Sequence, residues 1–228
     1  MPQSHKNIPH KLIGALTIGQ SPRPDLVEPL WQYLPADCQL MEAGALDGLP
    51  ASQIPPISEG VYPLTTRLQD GSLVMVEESF LLPRLQQALD HLETRGAVAS
   101  ILLCAGTFSG LQGTRPLFKP FTVGYNVLLA LGLKSVGLIA PIKEQVAPIR
   151  RRWQTAGFEP TVWTADISRQ DKQFKQQLAV QIETNGLECI VLDYVGHPAQ
   201  TVTLLQQNST LPVIDLGQLA MTALAGTL

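Results

Sequence analysis

Two short stretches hold the residues best suited to chemistry. "SILLCAGTFSG", from Ser100 to Gly110, is a run of strand-forming residues that stops at Cys104 and breaks into small and hydroxyl residues. "CIVLDYVGH", from Cys189 to His197, has the same shape, with Tyr194 standing where the cysteine stood. A parallel strand delivers the side chain at its carboxyl end into a ligand crevice, and Cys104 is in that position. The amides of Gly106, Thr107 and nearby residues, together with a helix N-terminus, are expected to lower its pKa from about 8.5 into the range of about 3.5 to 7.5 found for activated thiols. The alternative is a small buried hydrophobe, since free cysteine is among the most buried residue types. Cys38 and Cys189 sit at strand starts, away from any loop end, and read as core.

Three further clusters carry polar chemistry. "TIGQSPRPD" combines a flexible turn with the hydroxyl of Ser21 and the guanidinium of Arg23, whose rigid fork of donors matches a carboxylate bidentately. Arg23 could equally open a solvated helix capped by Asp25. "TTRLQDG" puts Thr65 and Thr66 beside Arg67, and "DYVGHP" brings Asp193, Tyr194 and His197 together. A histidine before proline at a helix start also serves as a cap or a surface residue. No cluster has metal-ligand spacing, and neither a GxGxxG nor a GxxxxGK[ST] phosphate loop is present, so neither a metal nor a cofactor is expected.

The elements that must position these residues follow from periodicity. Short apolar runs alternate with segments of helical spacing, the pattern of a parallel sheet covered by helices. "LIGALTIG" reads as a strand, "RPDLVEPLWQYL" as a helix with Pro24 and Asp25 in its first turn, and "QLMEAGAL" as a second strand. From Tyr62 to Glu77, Asp70 and Gly71 separate two alternating runs, a strong hairpin signal. "LLPRLQQALDHLETRG" is an amphipathic helix ending at Gly96, and the Cys104 strand follows.

The second half repeats the theme: strand "SVGLIAP", a helix closed by Gly157, strand "PTVWTAD", a helix capped by Ser168, strand "CIVLDYVG", helix "HPAQTVTLLQQN", strand "LPVID" and a final helix from Leu216. Aligning Thr17 with Ala140 offsets the halves by about 123 residues, and aligning Cys104 with Tyr194 by about 90, so the first half carries about 33 extra residues, largely the hairpin. The expectation is an α/β protein of two pseudo-symmetric halves with mainly parallel sheets. Residues 1–120 form the first, with the hairpin at about 62–77 and the C-terminal helix as a possible addition; residues 121–228 form the second. The loops "IGQSPR", "CAGTFSG", "APIKE" and "DYVGH" would surround one cleft between the halves, with the hairpin as its lid.

Composition narrows the function. With 45% hydrophobic and 15% charged residues, the 228-residue chain can bury a substantial core. Its net charge of -3 comes without a basic stripe, so nucleic acid is not an expected partner. "VLLALGLKSVGLIAP" is interrupted by Lys134 and is too short for a bilayer helix of about 20 apolar residues, so no membrane segment is expected. An odd number of cysteines, three, without CxxC spacing, and a start "MPQSHKNIPHK" without an apolar stretch, place the chain in a reducing cytoplasm.

The motifs "LTIGQSPRPDL", "YPLTTRLQDG", "LLCAGTF" and "VLDYVGH", in that order, resemble the AroM family across nearly the whole chain. AroM proteins are similar in turn to the aspartate/glutamate racemase superfamily, in which two thiols flank the substrate α-carbon and exchange its proton without cofactor. By this resemblance Cys104 maps onto the first catalytic position and Tyr194 onto the second, with His197 as a further catalytic candidate. Gln20, Ser21, Arg23, Arg67, Thr107, Phe108 and Asp193 are then expected to bind a small carboxylate, and a homodimer is possible. Tyrosine, with a pKa near 10, is a poor base at neutral pH, so two-thiol racemisation is disfavoured. A one-cysteine isomerase, lyase or hydrolase remains, as does a non-catalytic carboxylate-binding or regulatory protein.

Overall fold

A computed structural model describes residues 11–61, 63–140, 142–167 and 172–228. Its first half runs β1 (Lys11–Thr17), α1 (Pro24–Trp31), β2 (Cys38–Gly44), the hairpin strands β3 (Leu64–Arg67) and β4 (Leu73–Val76), α2 (Glu78–Thr94), β5 (Ala99–Leu102), β6 (Leu117–Phe118) and α3 (Pro120–Ala130). The second runs β7 (Ser135–Ala140), α4 (Val146–Thr155), β8 (Glu159–Thr164), α5 (Lys172–Asn185), β9 (Cys189–Leu192), α6 (Ala199–Asn208), β10 (Val213–Asp215) and α7 (Leu216–Ala225). Helix and strand types follow the sequence pattern, except that periodicity did not mark β6 and α3. The expected cap Ser168 and the hairpin's first residue, Tyr62, lie outside the described residues.

Each half builds one four-stranded parallel sheet, ordered β2-β1-β5-β6 and β8-β7-β9-β10. The two orders correspond strand for strand, which makes the pseudo-symmetry explicit. β5, β7 and β9 are near-continuous apolar runs because helices cover both faces of each sheet, leaving no water-facing side to alternate with. In the first half, Leu81, Leu85, Leu89 and Leu92 of α2 pack on one face of the sheet. Leu26, Val27 and Leu30 of α1 join Ala220, Met221 and Leu224 of α7 on the other.

The terminal helices are exchanged. α3 follows the first sheet, yet Phe121 and Leu128 pack with Val136, Leu138 and Trp153 of the second half. α7 follows the second sheet, yet its apolar face lies on Ile13, Ala15, Ala99 and Ile101 of the first. α3 and α7 pack against each other so closely that a Cβ on Gly124 would strike Leu216. The exchange binds the halves together and fixes the relation between the carboxyl ends of their sheets.

The hairpin differs in detail from expectation. Its strands pair Leu64 with Val76 through Arg67 with Leu73, and the connection is the whole of 68–72 instead of Asp70 and Gly71 alone. Gly71 takes a φ of 85°, Asp70 Oδ1 accepts from the Ser72 N–H, and the Gly71 N–H reaches the Leu68 carbonyl. Among the described residues, no helix is long and apolar enough to cross a membrane.

Candidate functional site

The two strand ends meet as a cleft. Leu16 pairs with Leu102, and Ile139 with Leu192, so Cys104 and Tyr194 each stand two residues beyond the last pairing of equivalent strands. Both line a cleft of about 470 Å³, walled by Thr17, Arg23 and Asp25 of the first half and by Gln145, Arg152 and Asp193 of the second. Leu64, Thr65, Thr66, Arg67 and Leu73 of the hairpin form the remaining wall.

The hairpin is held there by the two polar sequence motifs acting as one unit. Gln20 donates from Nε2 to the Leu46 and Leu49 carbonyls, both at 2.9 Å, and its Oε1 accepts from the Gln69 N–H at 2.8 Å. Gln69 Nε2 donates to the Ser21 carbonyl at 2.5 Å. Ser21 gives its N–H and hydroxyl to the Asp47 carboxylate, each at 2.6 Å. A Cβ on Gly19 would collide with Arg67 and Thr66, so only glycine lets the hairpin approach this closely. Gln20 and Ser21, expected at the ligand, therefore spend their polar atoms on the scaffold and do not line the cleft.

Arg23 does reach the cleft, but its fork is already closed on its own helix. Nε and Nη2 donate to the two oxygens of Asp25 at 2.8 and 2.7 Å, and this hydrogen-bonded charge is the largest influence holding the Asp25 pKa below its ordinary value. Arg67 lines the same wall and makes no ion pair among the described residues. Thr66 Oγ1 is buried there without a hydrogen-bond partner among the described residues.

Cys104 is half-buried, and its Sγ accepts from the Gly106 N–H at 3.3 Å. The expected activation of this thiol is corrected here. Burial pushes its pKa up, and the Gly106 amide and the nearby Arg152 charge only partly oppose that, while Asp193 and Glu78 push the same way as burial. The loop after Cys104 does not bring Thr107 or Phe108 to the cleft. Phe108 is fully buried in the first-half core at a φ of 38°, and Lys119 Nζ donates to its carbonyl at 3.2 Å and to that of Leu111 at 3.3 Å. An aromatic ring in that loop satisfies packing, a demand that the small and hydroxyl residues around it concealed.

Across the cleft, Asp193 is buried and accepts from Arg152 Nη2 at 2.5 Å. Burial raises its pKa to about 6 against the pull of Arg152 and the nearby Trp153 indole. Tyr194 packs against His197, with ring centroids 3.9 Å apart and the planes tilted by 58°, and burial followed by the Asp215 and Asp25 charges raises the phenol pKa. His197 does not line the cleft but lines a neighbouring cavity of about 410 Å³ that shares Tyr194 with it. Burial lowers its pKa to about 4, so it is neutral at pH 7.

Arg152 and Glu78 escaped the sequence reading. Arg152 lies one residue before the fully buried Trp153 and three after Ile149, so helical spacing turns it inward while Arg150 and Arg151 are solvated. Its guanidinium lies 4.6 Å from the Phe121 ring centroid, and that ring packs edge-on against Trp153. Glu78 opens α2, where burial raises its pKa against the Arg152 charge. Nothing in the local sequence distinguishes Glu78 from the neighbouring Glu77.

Two parallel α/β halves whose equivalent strand ends face one cleft make a fold like that of an aspartate racemase homologue. The chain belongs to the AroM family, matching the AroM protein family over residues 13–228. Its fold is similar to that of PH1733, an aspartate racemase homologue from Pyrococcus horikoshii OT3, with a TM-score of 0.64, 14% identity and coverage of 95% of this chain and 98% of that one. Unliganded arylmalonate decarboxylase is similar at a TM-score of 0.62 and 15% identity, covering 96% and 92% of the two chains. The maleate isomerase Iso from Pseudomonas putida S16 is similar at a TM-score of 0.61 and 12% identity, covering 95% and 92%. No curated protein gives a significant sequence match.

Proposed function

We propose that this AroM protein is a cofactor-independent enzyme acting on a small carboxylate in the cleft, with Cys104 moving a single proton. The observation that carries the reading is the opposition of one thiol, Cys104, to one phenol, Tyr194, at equivalent strand ends of a shared cleft. Burial keeps that thiol protonated, which suits a proton donor better than a resting nucleophile. An isomerase or lyase that generates a carbanion-like centre beside a carboxylate needs such a donor on one face only. Tyr194, also held protonated, supplies a hydrogen bond on the other. Arg67, which makes no ion pair among the described residues, and the hydroxyls of Thr65 and Thr66 receive the substrate carboxylate from the hairpin side. The similar structures bear names that refer to arylmalonate, maleate and aspartate, three small carboxylates, which supports this substrate class.

A second reading, a carboxylate-binding or regulatory protein without catalysis, is favoured by the phenol in place of a second thiol. Phenylmalonate, maleate and aspartate incubated with the protein in deuterated water, followed by proton NMR and calorimetry, separate the two. Loss of carbon dioxide, isomerisation or deuterium uptake, reduced at least about 100-fold in Cys104→Ala, is the enzyme outcome. Binding without turnover selects the binder, and neither binding nor turnover removes the small-carboxylate reading.

A further inference from the structure

Arg152 is poised for more than holding Asp193. Only its Nη2 is engaged by that carboxylate, while its Nε is buried without a hydrogen-bond partner among the described residues. A guanidinium offers five N–H donors in a fixed plane, so a single ion pair leaves most of the fork unused. The side chain lines the cleft, is 22% exposed, and lies close enough to Cys104 for its charge to act on the thiol. Phe121, arriving on the exchanged helix α3, supports the guanidinium plane from one face. Desolvating an Nε–H without a partner is costly, and the structure retains that cost at a ligand-facing position.

Arg23 is less available, since Asp25 holds it through both Nε and Nη2. Arg67 lines the same cleft from the hairpin and is exposed. Asp193 can hold Arg152 in place without saturating it, because the contact uses one nitrogen and one oxygen.

We infer that Arg152 is the substrate-binding residue that seats a carboxylate directly beside the Cys104 thiol, with Asp193 as the positioning residue that aims its guanidinium. This rests on the small-carboxylate reading of the cleft and adds to it the side from which the reacting end is gripped. The hairpin's Arg67 then addresses the far end of the ligand or closes over it.

The test uses two alkylating probes of nearly equal size, iodoacetate and iodoacetamide, which differ in carrying a carboxylate or a neutral amide. In each case the Cys104 sulfur attacks the methylene carbon, the S–C bond forms as iodide leaves, and the thiol proton passes to solvent. Site-resolved mass spectrometry follows Cys104 alone, and the ratio of the two rates cancels any change in thiol ionisation. The wild-type ratio should exceed that of a free thiol. It should fall about tenfold in Arg152→Gln, as expected for the loss of a charge-assisted contact to carboxylate, and partly persist in Arg152→Lys.

The paired variant Arg152→Gln/Asp193→Asn removes both charges together and keeps the comparison available if an unpaired buried Asp193 prevents folding of the single variant. It should lose the same preference. A ratio unchanged by Arg152 substitution but abolished by Arg67→Gln overturns the assignment while leaving the small-carboxylate reading intact. A wild-type ratio no higher than that of a free thiol overturns both.

Discussion

Asp215→Asn tests how burial sets the protonation of this protein, and its size can be worked from the structure. Asp215 ends β10 and caps α7, its Oδ1 accepting from the Gln218 N–H at 2.8 Å, and it is only 6% exposed. Burial raises its pKa from 3.8 to about 6, against the smaller pull of the Gln218 and Gly217 amides. The native state thus holds this proton more tightly than the unfolded chain. The stabilisation is complete below pH 3.8 and is lost as pH rises through about 6. At about 1.4 kcal/mol for each pH step of one, the loss is about 3 kcal/mol. Asparagine keeps a capping acceptor of similar quality and does not titrate. The stability of Asp215→Asn relative to wild type should therefore rise by about 2.4 kcal/mol between pH 4 and pH 7, part of the total having been lost already at pH 4.

Urea unfolding of both proteins across that range measures the difference directly. His197 acts in the opposite sense, since its pKa falls from 6.5 to about 4 and its contribution grows as pH rises between those values. That contribution is common to both proteins and cancels, as does that of Asp193. A relative stability constant within about 0.5 kcal/mol from pH 4 to pH 7 would refute burial as the controlling term. The Asp215 charge also helps to raise the Tyr194 pKa, so an ultraviolet titration of the variant should show the phenol ionising earlier.

Three further outcomes follow from the site. The rate of iodoacetamide modification at Cys104 should reach half its maximum above the ordinary thiol value of about 8.5; a midpoint below pH 7.5 would show that Gly106 and Arg152 outweigh burial. Gln69→Ala removes the hydrogen bond to the Ser21 carbonyl and should cost about 1 kcal/mol, with faster proteolysis within 64–76; unchanged proteolysis would mean that this contact does not hold the hairpin. Tyr194→Cys should show no α-proton exchange with aspartate in deuterated water, because two-base transfer needs both thiols held to within about 0.5 Å of productive geometry. Exchange appearing in that variant, and absent from the parent, would count against the reasoning.

The parts of the fold legible in the chain are those governed by local periodicity. The apolar runs at β1, β5, β7 and β9 are continuous because both faces are covered, and the leucines of α2 recur at helical spacing. β6 was not legible, since two residues carry no period, and neither was α3, because apolar residues such as Leu129 stand on its exposed side as well as on the face that buries Phe121 and Leu128. The thiol at the end of β5 and the phenol at the end of β9 were readable as equivalent positions, because strand ends have a recognisable composition.

The roles of the polar residues were a different matter. Gln20 and Ser21 look like ligand-binding groups until Gln69 and Asp47, distant in sequence, are seen to take their hydrogen bonds. Arg23 looks like an anchor until Asp25 closes its fork. Arg152 looks like one of three solvated arginines until Trp153 and Phe121 turn it toward Asp193. The sequence by itself determined the class of fold, the two halves and the strand end that presents Cys104, because hydrophobic burial imposes a short repeating pattern that any window of chain displays. Only the tertiary structure decided which polar groups remain available to a ligand and that burial pushes the thiol's pKa up. Hydrogen-bond saturation and desolvation depend largely on atoms brought together from segments distant in the chain, as Gln20 with Gln69 and Arg152 with Asp193, and no local pattern encodes them.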